Sequence, residues 1–120
     1  MKWFRKAAVS GDPAGQYSLG EMYLTGRGVA SNVGEAAIWF RRAAEGGDPR
    51  GQFNLAAMYA QGTGVRKSDD EAAIWMRKAA EQAFADGEFG LGSMYAHGSG
   101  VLGDAEEAAK WYRRPLAGEI

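Results

Sequence analysis

The side chains equipped for chemistry are few. His97 is the single imidazole among 120 residues, and no cysteine accompanies it. A general base needs an imidazole or carboxylate held beside a nucleophile, and a metal site needs several ligands, so neither constellation can be drawn from this inventory. The carboxylates gather in Asp69-Asp70-Glu71 and Glu106-Glu107. These fall at the starts of expected helices, where negative charge complements the helix dipole. Three glycine turns, Gly26-Arg27-Gly28, Gly62-Thr63-Gly64 and Gly98-Ser99-Gly100, superficially suggest phosphate loops. None has the spacing and lysine of a Walker motif, and turn geometry explains them better. A ladder of basic pairs, Arg5-Lys6, Arg41-Arg42, Arg77-Lys78 and Arg113-Arg114, suits phosphate or an acidic peptide in principle. It reads instead as a solvated helix face, with Arg41 and Arg77 four residues before Glu45 and Glu81, a pairing worth at most ~0.5 kcal/mol. On these grounds no enzyme, metal or cofactor is expected.

What positions these residues is a repeat. Tryptophan stands at Trp3, Trp39, Trp75 and Trp111, one every 36 residues, and each is followed by a basic pair. Ligand stacking is one use for tryptophan, but so strict a period argues for core. A fixed helical period of this length marks a solenoid whose units bury their apolar faces against one another. Composition fits, with 46% hydrophobic residues and only 3 prolines. With 14 basic and 15 acidic residues the charges nearly cancel, which argues against nucleic acid. No apolar run is long enough to cross a bilayer. Met1-Lys2-Trp3-Phe4-Arg5-Lys6 lacks the apolar core of a signal peptide, so the chain reads as cytoplasmic unless a leader was removed.

Within each unit the punctuation is regular. Gly11-Asp12-Pro13 and Gly47-Asp48-Pro49 each end one helix, cap the next and supply its first residue. The A helix that follows runs from Ala14 to about Thr25, with Tyr17, Leu19, Met22 and Tyr23 at helical spacing. After the glycine turn, Asn32, Ser68 and Asp104 are each followed three residues later by glutamate, which resembles a capping box and opens the B helix. Gln82-Ala83-Phe84-Ala85-Asp86-Gly87 replaces the Gly-Asp-Pro signal, so the second B helix is expected to run on or turn differently there. Pro115 is expected to stop the last helix near Arg114, because its ring would clash with the carbonyl of Trp111.

The stretches Leu19-Gly20-Glu21-Met22-Tyr23-Leu24-Thr25-Gly26-Arg27-Gly28-Val29 and Glu35-Ala36-Ala37-Ile38-Trp39-Phe40-Arg41-Arg42-Ala43-Ala44-Glu45-Gly46 recur from Leu55 and from Leu91. On these residues the chain resembles the Sel-one-like repeat (SLR) family, relatives of the tetratricopeptide repeat. Leu-Gly-x-x-Tyr alone fits either group; the period and the Gly-x-Gly-Val turn favour the former. Ala56, Met76 and Pro115 depart from the pattern. The resemblance implies an adaptor that holds protein complexes together, often in bacterial regulation, envelope assembly or host interaction. Some relatives bind or slowly hydrolyse beta-lactams, but no serine here begins a Ser-x-x-Lys motif, so a weak hydrolase rests on His97 alone.

The expected architecture is therefore all-α: a right-handed α-α superhelix of antiparallel pairs, about seven helices in one domain, 1–120. Its parts are a half repeat over 1–13, repeats over 14–49 and 50–85, and a third over 86–120 with a truncated last helix. Trp3, Trp39, Trp75 and Trp111, with Tyr23, Tyr59 and Tyr95, form the structural ladder. One stripe of the A helices varies freely between units: Ala14, Ser18, Glu21, Thr25, then Arg50, Asn54, Ala57, Gln61, then Asp86, Gly90, Ser93, His97. Its spacing keeps it on one face. This face is the candidate groove for an unknown protein or peptide partner, with Arg50, Asn54, Gln61 and His97 the leading contacts. The alternative to such an adaptor is a homodimer through the N-terminal end, where Trp3 and Phe4 lack a preceding A helix.

Overall fold

The computed structural model describes residues 11–27 and 29–97. Among them every regular element is an α-helix: α1 (Pro13–Thr25), α2 (Val33–Glu45), α3 (Pro49–Gln61), α4 (Asp69–Glu81) and α5 (Ala85–His97). The expected first and last B helices, with Trp3, Trp111 and Pro115, lie outside the described residues. α1, α3 and α5 are the A helices; α2 and α4 are B helices. Each helix packs on its neighbours in sequence, and α1 touches α3 as α3 touches α5. The result is a solenoid of stacked helical hairpins.

The ends of the helices follow from their caps. Asp12 and Asp48 accept from the amides of Ala14 (3.3 Å) and Arg50 (2.9 Å), ahead of Pro13 and Pro49 at the first helical positions. Asn32 and Ser68 accept from the amides of Glu35 (3.1 Å) and Glu71 (3.2 Å), one half of the expected capping box. The cap residues' own amides go elsewhere. They donate across to the carbonyls of Tyr23 (2.8 Å) and Tyr59 (3.0 Å), and so tie each B helix to the end of its own A helix. α1 and α3 end in left-handed glycines, Gly26 at φ 78° and Gly62 at φ 71°.

The turn before α5 corrects the expectation for that stretch. α4 does not run on; it stops at Glu81, as α2 stops at Glu45 one period earlier. Ala83 takes the left-handed place of Gly47, at φ 60°, and is the one described non-glycine residue there. The amide of Phe84 still reaches the carbonyl of Ala79 (3.3 Å), as Asp48 reaches Ala43 (3.0 Å). The backbone pattern survives the loss of its glycine, aspartate and proline because packing on either side fixes it.

The core repeats with the chain. Leu19, Leu55 and Leu91 are fully buried, as are Ala36 and Ala72, Ala43 and Ala79, and Phe40. Trp39 and Trp75 are buried at 8% and 9% exposure. Small residues set the helix spacing. A Cβ on Gly51 would stand 2.8 Å from the Ala43 methyl, and one on Gly87 would stand 2.9 Å from that of Ala79. α3 and α5 thus each begin in close contact with the end of the preceding B helix. A Cβ on Gly20 would stand 2.8 Å from the Phe40 ring. One unit later both partners change: Ala56 is wider, the more pliable Met76 replaces phenylalanine, and both are buried in one cluster.

Candidate functional site

No described residue of the A-helix stripe is buried. Ala14, Glu21, Thr25, Arg50, Gln61 and Asp86 are exposed, while Ser18, Asn54, Ala57, Gly90 and Ser93 are partly so. His97 closes α5, and its side chain lies outside the described residues. On the opposite face of the same helices Gly15, Gln16, Gly51 and Gln52 are buried.

The stripe is organised around a residue that the spacing argument left in the core pattern, Tyr17. Its hydroxyl donates to the carboxylate of Glu21, one turn along α1. Asn54 hydrogen-bonds to the same hydroxyl from α3, and the Arg50 guanidinium lies 4.4 Å from the Tyr17 ring centroid. Arg50 is itself held by Asp48: Nε donates to Oδ1 (3.2 Å) and one terminal nitrogen to Oδ2 (2.8 Å). The fold therefore brings Glu21, Arg50 and Asn54 together across two A helices, with Tyr17 between them. Beside this cluster an open depression of about 340 Å³ is lined by Ser18, Glu21, Met22, Thr25 and Arg27. Thr25 donates to the carbonyl of Glu21 at 2.8 Å.

The electrostatics follow from these contacts. Burial pushes the Tyr17 phenol up to about 12, helped by its hydrogen bond to Glu21 and the nearby Glu21 charge, against the opposing pull of Arg50 and Asn54. Burial would raise Asp48, but the hydrogen bonds and charge of Arg50 outweigh it and hold the carboxyl below its usual range. The hydrogen bond to Asp48 raises Arg50 in turn. This is a fixed, partly desolvated ion pair rather than a reactive one.

The basic ladder has a different use from the one expected. Among the described residues the ion pairs are Arg50–Asp48 and Lys67–Asp69; Arg41 and Arg77 form none with Glu45 and Glu81. Instead a guanidinium nitrogen of Arg41 donates to the hydroxyl of Tyr59, and one of Arg77 to that of Tyr95, each 18 residues on. Arg42 and Lys78 lie over the rings of Trp39 and Trp75, at 4.6 and 5.4 Å from the centroids. These basic residues bind the solenoid's own aromatics. The constant 18-residue offset between Arg and Tyr was present in the sequence as a signal for these ties. The indole N–H groups of Trp39 and Trp75 are buried with no hydrogen-bond partner, which fits a filling role better than a binding one.

A second group went unread in the sequence. Gln16, Gln52 and Glu88 stand one period apart and are buried at 8%, 5% and 3% exposure. Gln52 donates to the carbonyl of Ala44 (3.2 Å) and accepts from Gln82 (2.8 Å), which also donates to the carbonyl of Gly47 (3.0 Å). Gln82 thus fastens the turn before α5 to the turn before α3. On the B side, a depression of about 220 Å³ lies between the exposed Ile38 and the Gly64-Val65 turn.

The described residues contain no group of histidine and carboxylate side chains that could hold a metal ion. None of the described helices is long and apolar enough to cross a membrane. Comparison with known proteins is specific about kind. The family model described as Sel1 repeat matches residues 1–12, 13–48, 49–84 and 85–114. No curated protein matches the chain. Among solved structures, c5321, described as a protective antigen of uropathogenic Escherichia coli strains with an SLR fold, is 41% identical with a TM-score of 0.91. The match takes in 93% of this chain and 24% of that one, so this chain spans about a quarter of the length of that relative. A Sel1 repeat protein of Oxalobacter formigenes is 41% identical over 91% of this chain and 82% of its own, with a TM-score of 0.84. Cysteine rich protein B of Helicobacter pylori is 25% identical over 92% and 84% respectively, with a TM-score of 0.70.

Proposed function

Since this chain belongs to the Sel1 repeat family, we propose that it is a protein-protein interaction module that holds a peptide or protein partner along its A helices and performs no reaction of its own. Proteins built from these repeats are in general interaction scaffolds. The choice of face rests on one observation: Tyr17, Glu21, Arg50 and Asn54 form a polar cluster, fixed before any partner arrives, that bridges two successive A helices. Preorganised groups lose little entropy on binding, and an open depression beside them offers room for a side chain. The B helices present less that is adaptable, since their arginines are already engaged with Tyr59 and Tyr95.

The test is affinity capture from an extract of the source cell, comparing the parent with an Arg50→Ala, Asn54→Ala, Gln61→Ala variant whose folding is checked by circular dichroism. Retention of a partner by the parent alone is the expected result. A partner retained equally by both moves the site off the A helices.

A further inference from the structure

Each described B helix leaves one large apolar side chain in solvent at the same position of the repeat: Ile38 in α2 and Ile74 in α4, 47% and 50% exposed. A notch of about 220 Å³ lies beside Ile38, walled on its apolar side by Gly34, Ala37 and Val65. One period outward on either side the position is lysine, Lys2 and Lys110. The apolar strip therefore belongs to the two central units.

The charges around Ile74 say what covers it. Asp70 stands four residues before it and Lys78 four after; Glu71 stands three before and Arg77 three after; Lys67 stands seven before and Glu81 seven after. These offsets share the side of the helix that carries Ile74. Every pair is of opposite sign, so an antiparallel copy of α4, related by a two-fold axis at Ile74, sets acid against base at each charged position. About Ile38 the same operation sets Glu35 against Arg41, Gly34 against Arg42 and Ser31 against Glu45, again with no like charges opposed. One axis serves both helices, because the two isoleucines occupy one position of successive units. Complementing the helix dipole accounts for Asp70 and Lys78, but Lys67 and Glu81 run the other way. Nor are these charges consumed within the chain. Among the described residues Asp70, Lys78 and Glu81 enter no ion pair, and Lys67 pairs with Asp69.

We propose that the exposed face of α2 and α4 docks against the same face of a second copy of this chain, with Ile38 and Ile74 on a two-fold axis. Such an interface is isologous: each contact between unlike residues occurs twice. The isoleucines form its dry centre, and the notch takes up the apolar bulk of the opposing Ile38. Two helices ~20 Å long, laid ~10 Å apart, outline roughly 400 Å² per copy, about half of what a stable interface buries, so the dimer is a weak, exchanging one. It leaves the A helices uncovered. The inference therefore stands apart from the choice of the partner-binding face, and gives that face two copies per particle.

Sedimentation equilibrium of the chain at low salt, up to about 1 mM, tests this. A monomer–dimer equilibrium is expected, weakened roughly tenfold or more by Ile74→Glu, which buries like charges on the axis. Ile74 is exposed, and circular dichroism checks that the variant is folded. A pair of charge reversals tests the symmetry. Asp70→Lys and Lys78→Glu each oppose like charges and should each self-associate about fivefold more weakly, whereas an equimolar mixture of the two restores the parent's affinity. The Arg50→Ala, Asn54→Ala, Gln61→Ala variant should dimerise as the parent does, so a lost A-helix partner and a lost dimer are told apart. A chain that stays monomeric at the highest concentration overturns the proposal. So does a dimer indifferent to Ile74→Glu, which is joined elsewhere, or a mixture of the two reversals no tighter than either alone.

Discussion

Tyr17 shows how far a single hydroxyl changes the role of a repeat position. Phe53 and Phe89 occupy the same place with a ring alone, whereas Tyr17 adds a donor that reaches Glu21 and an acceptor that Asn54 can use. Its phenol should therefore ionise late, near pH 12, in an ultraviolet titration of phenolate absorbance. The signs of two variants are opposite. Glu21→Gln removes both a hydrogen bond to the neutral phenol and a repelling charge, so ionisation comes earlier; Arg50→Ala removes an attracting charge, so it comes later. Because the folded phenol is raised above its unfolded value of about 10, its contribution to stability is complete below that pH and is lost as pH climbs toward about 12. If the late phase of the parent is not lost in Tyr17→Phe, the assignment to Tyr17 is refuted. The stripe was legible in the sequence because exposed positions vary between units. Tyr17 was not, because its ring fits the apolar pattern and, beyond Glu21 one turn away, its polar partners Arg50 and Asn54 arrive from 33 and 37 residues away only when α3 stacks on α1.

At the level of elements, the capping signals were readable residue by residue, and α1, α2, α3 and α4 begin where Asp12, Asn32, Asp48 and Ser68 place them. The turn before α5 was misjudged for a physical reason. Gly-Asp-Pro is a local preference, whereas the turn is also fixed by contacts that no local pattern contains: the Gln82 link to Gly47 and Gln52, and the approach of Gly87 to Ala79. Those contacts hold Ala83 at φ 60°, where its Cβ meets the following carbonyl at a cost of ~1–2 kcal/mol. Ala83→Gly relieves that strain and surrenders part of the gain to the greater freedom of the unfolded chain. The net expectation is a stabilisation of about 1 kcal/mol, read as a higher urea midpoint with unchanged slope. An unchanged or lower midpoint would mean the turn stores no strain.

For the molecule as a whole, the period of 36 residues carried nearly all of the architecture, because a repeat that cannot bury its own apolar face dictates stacking. What it left open was the bonding between units. The ties from Arg41 to Tyr59 and Arg77 to Tyr95, and the clasp at Gln82, join each unit to the next. Damage at the centre should therefore spread. Leu55→Ala, in α3, should cost about 2–5 kcal/mol and lower amide exchange protection in α1 and α5 together, since α3 touches both. Loss confined to α3 and α4 would show that the units are less coupled than their contacts suggest. The same ties bear on how quickly the chain finds its shape. Each arginine–tyrosine tie joins a B helix to the A helix that directly follows it in the chain, 18 residues later. No described helix has to wait for a remote stretch of chain before it can dock, so the search is a succession of short loop closures. A chain built this way should fold fast for its size and can begin from any hairpin along its length.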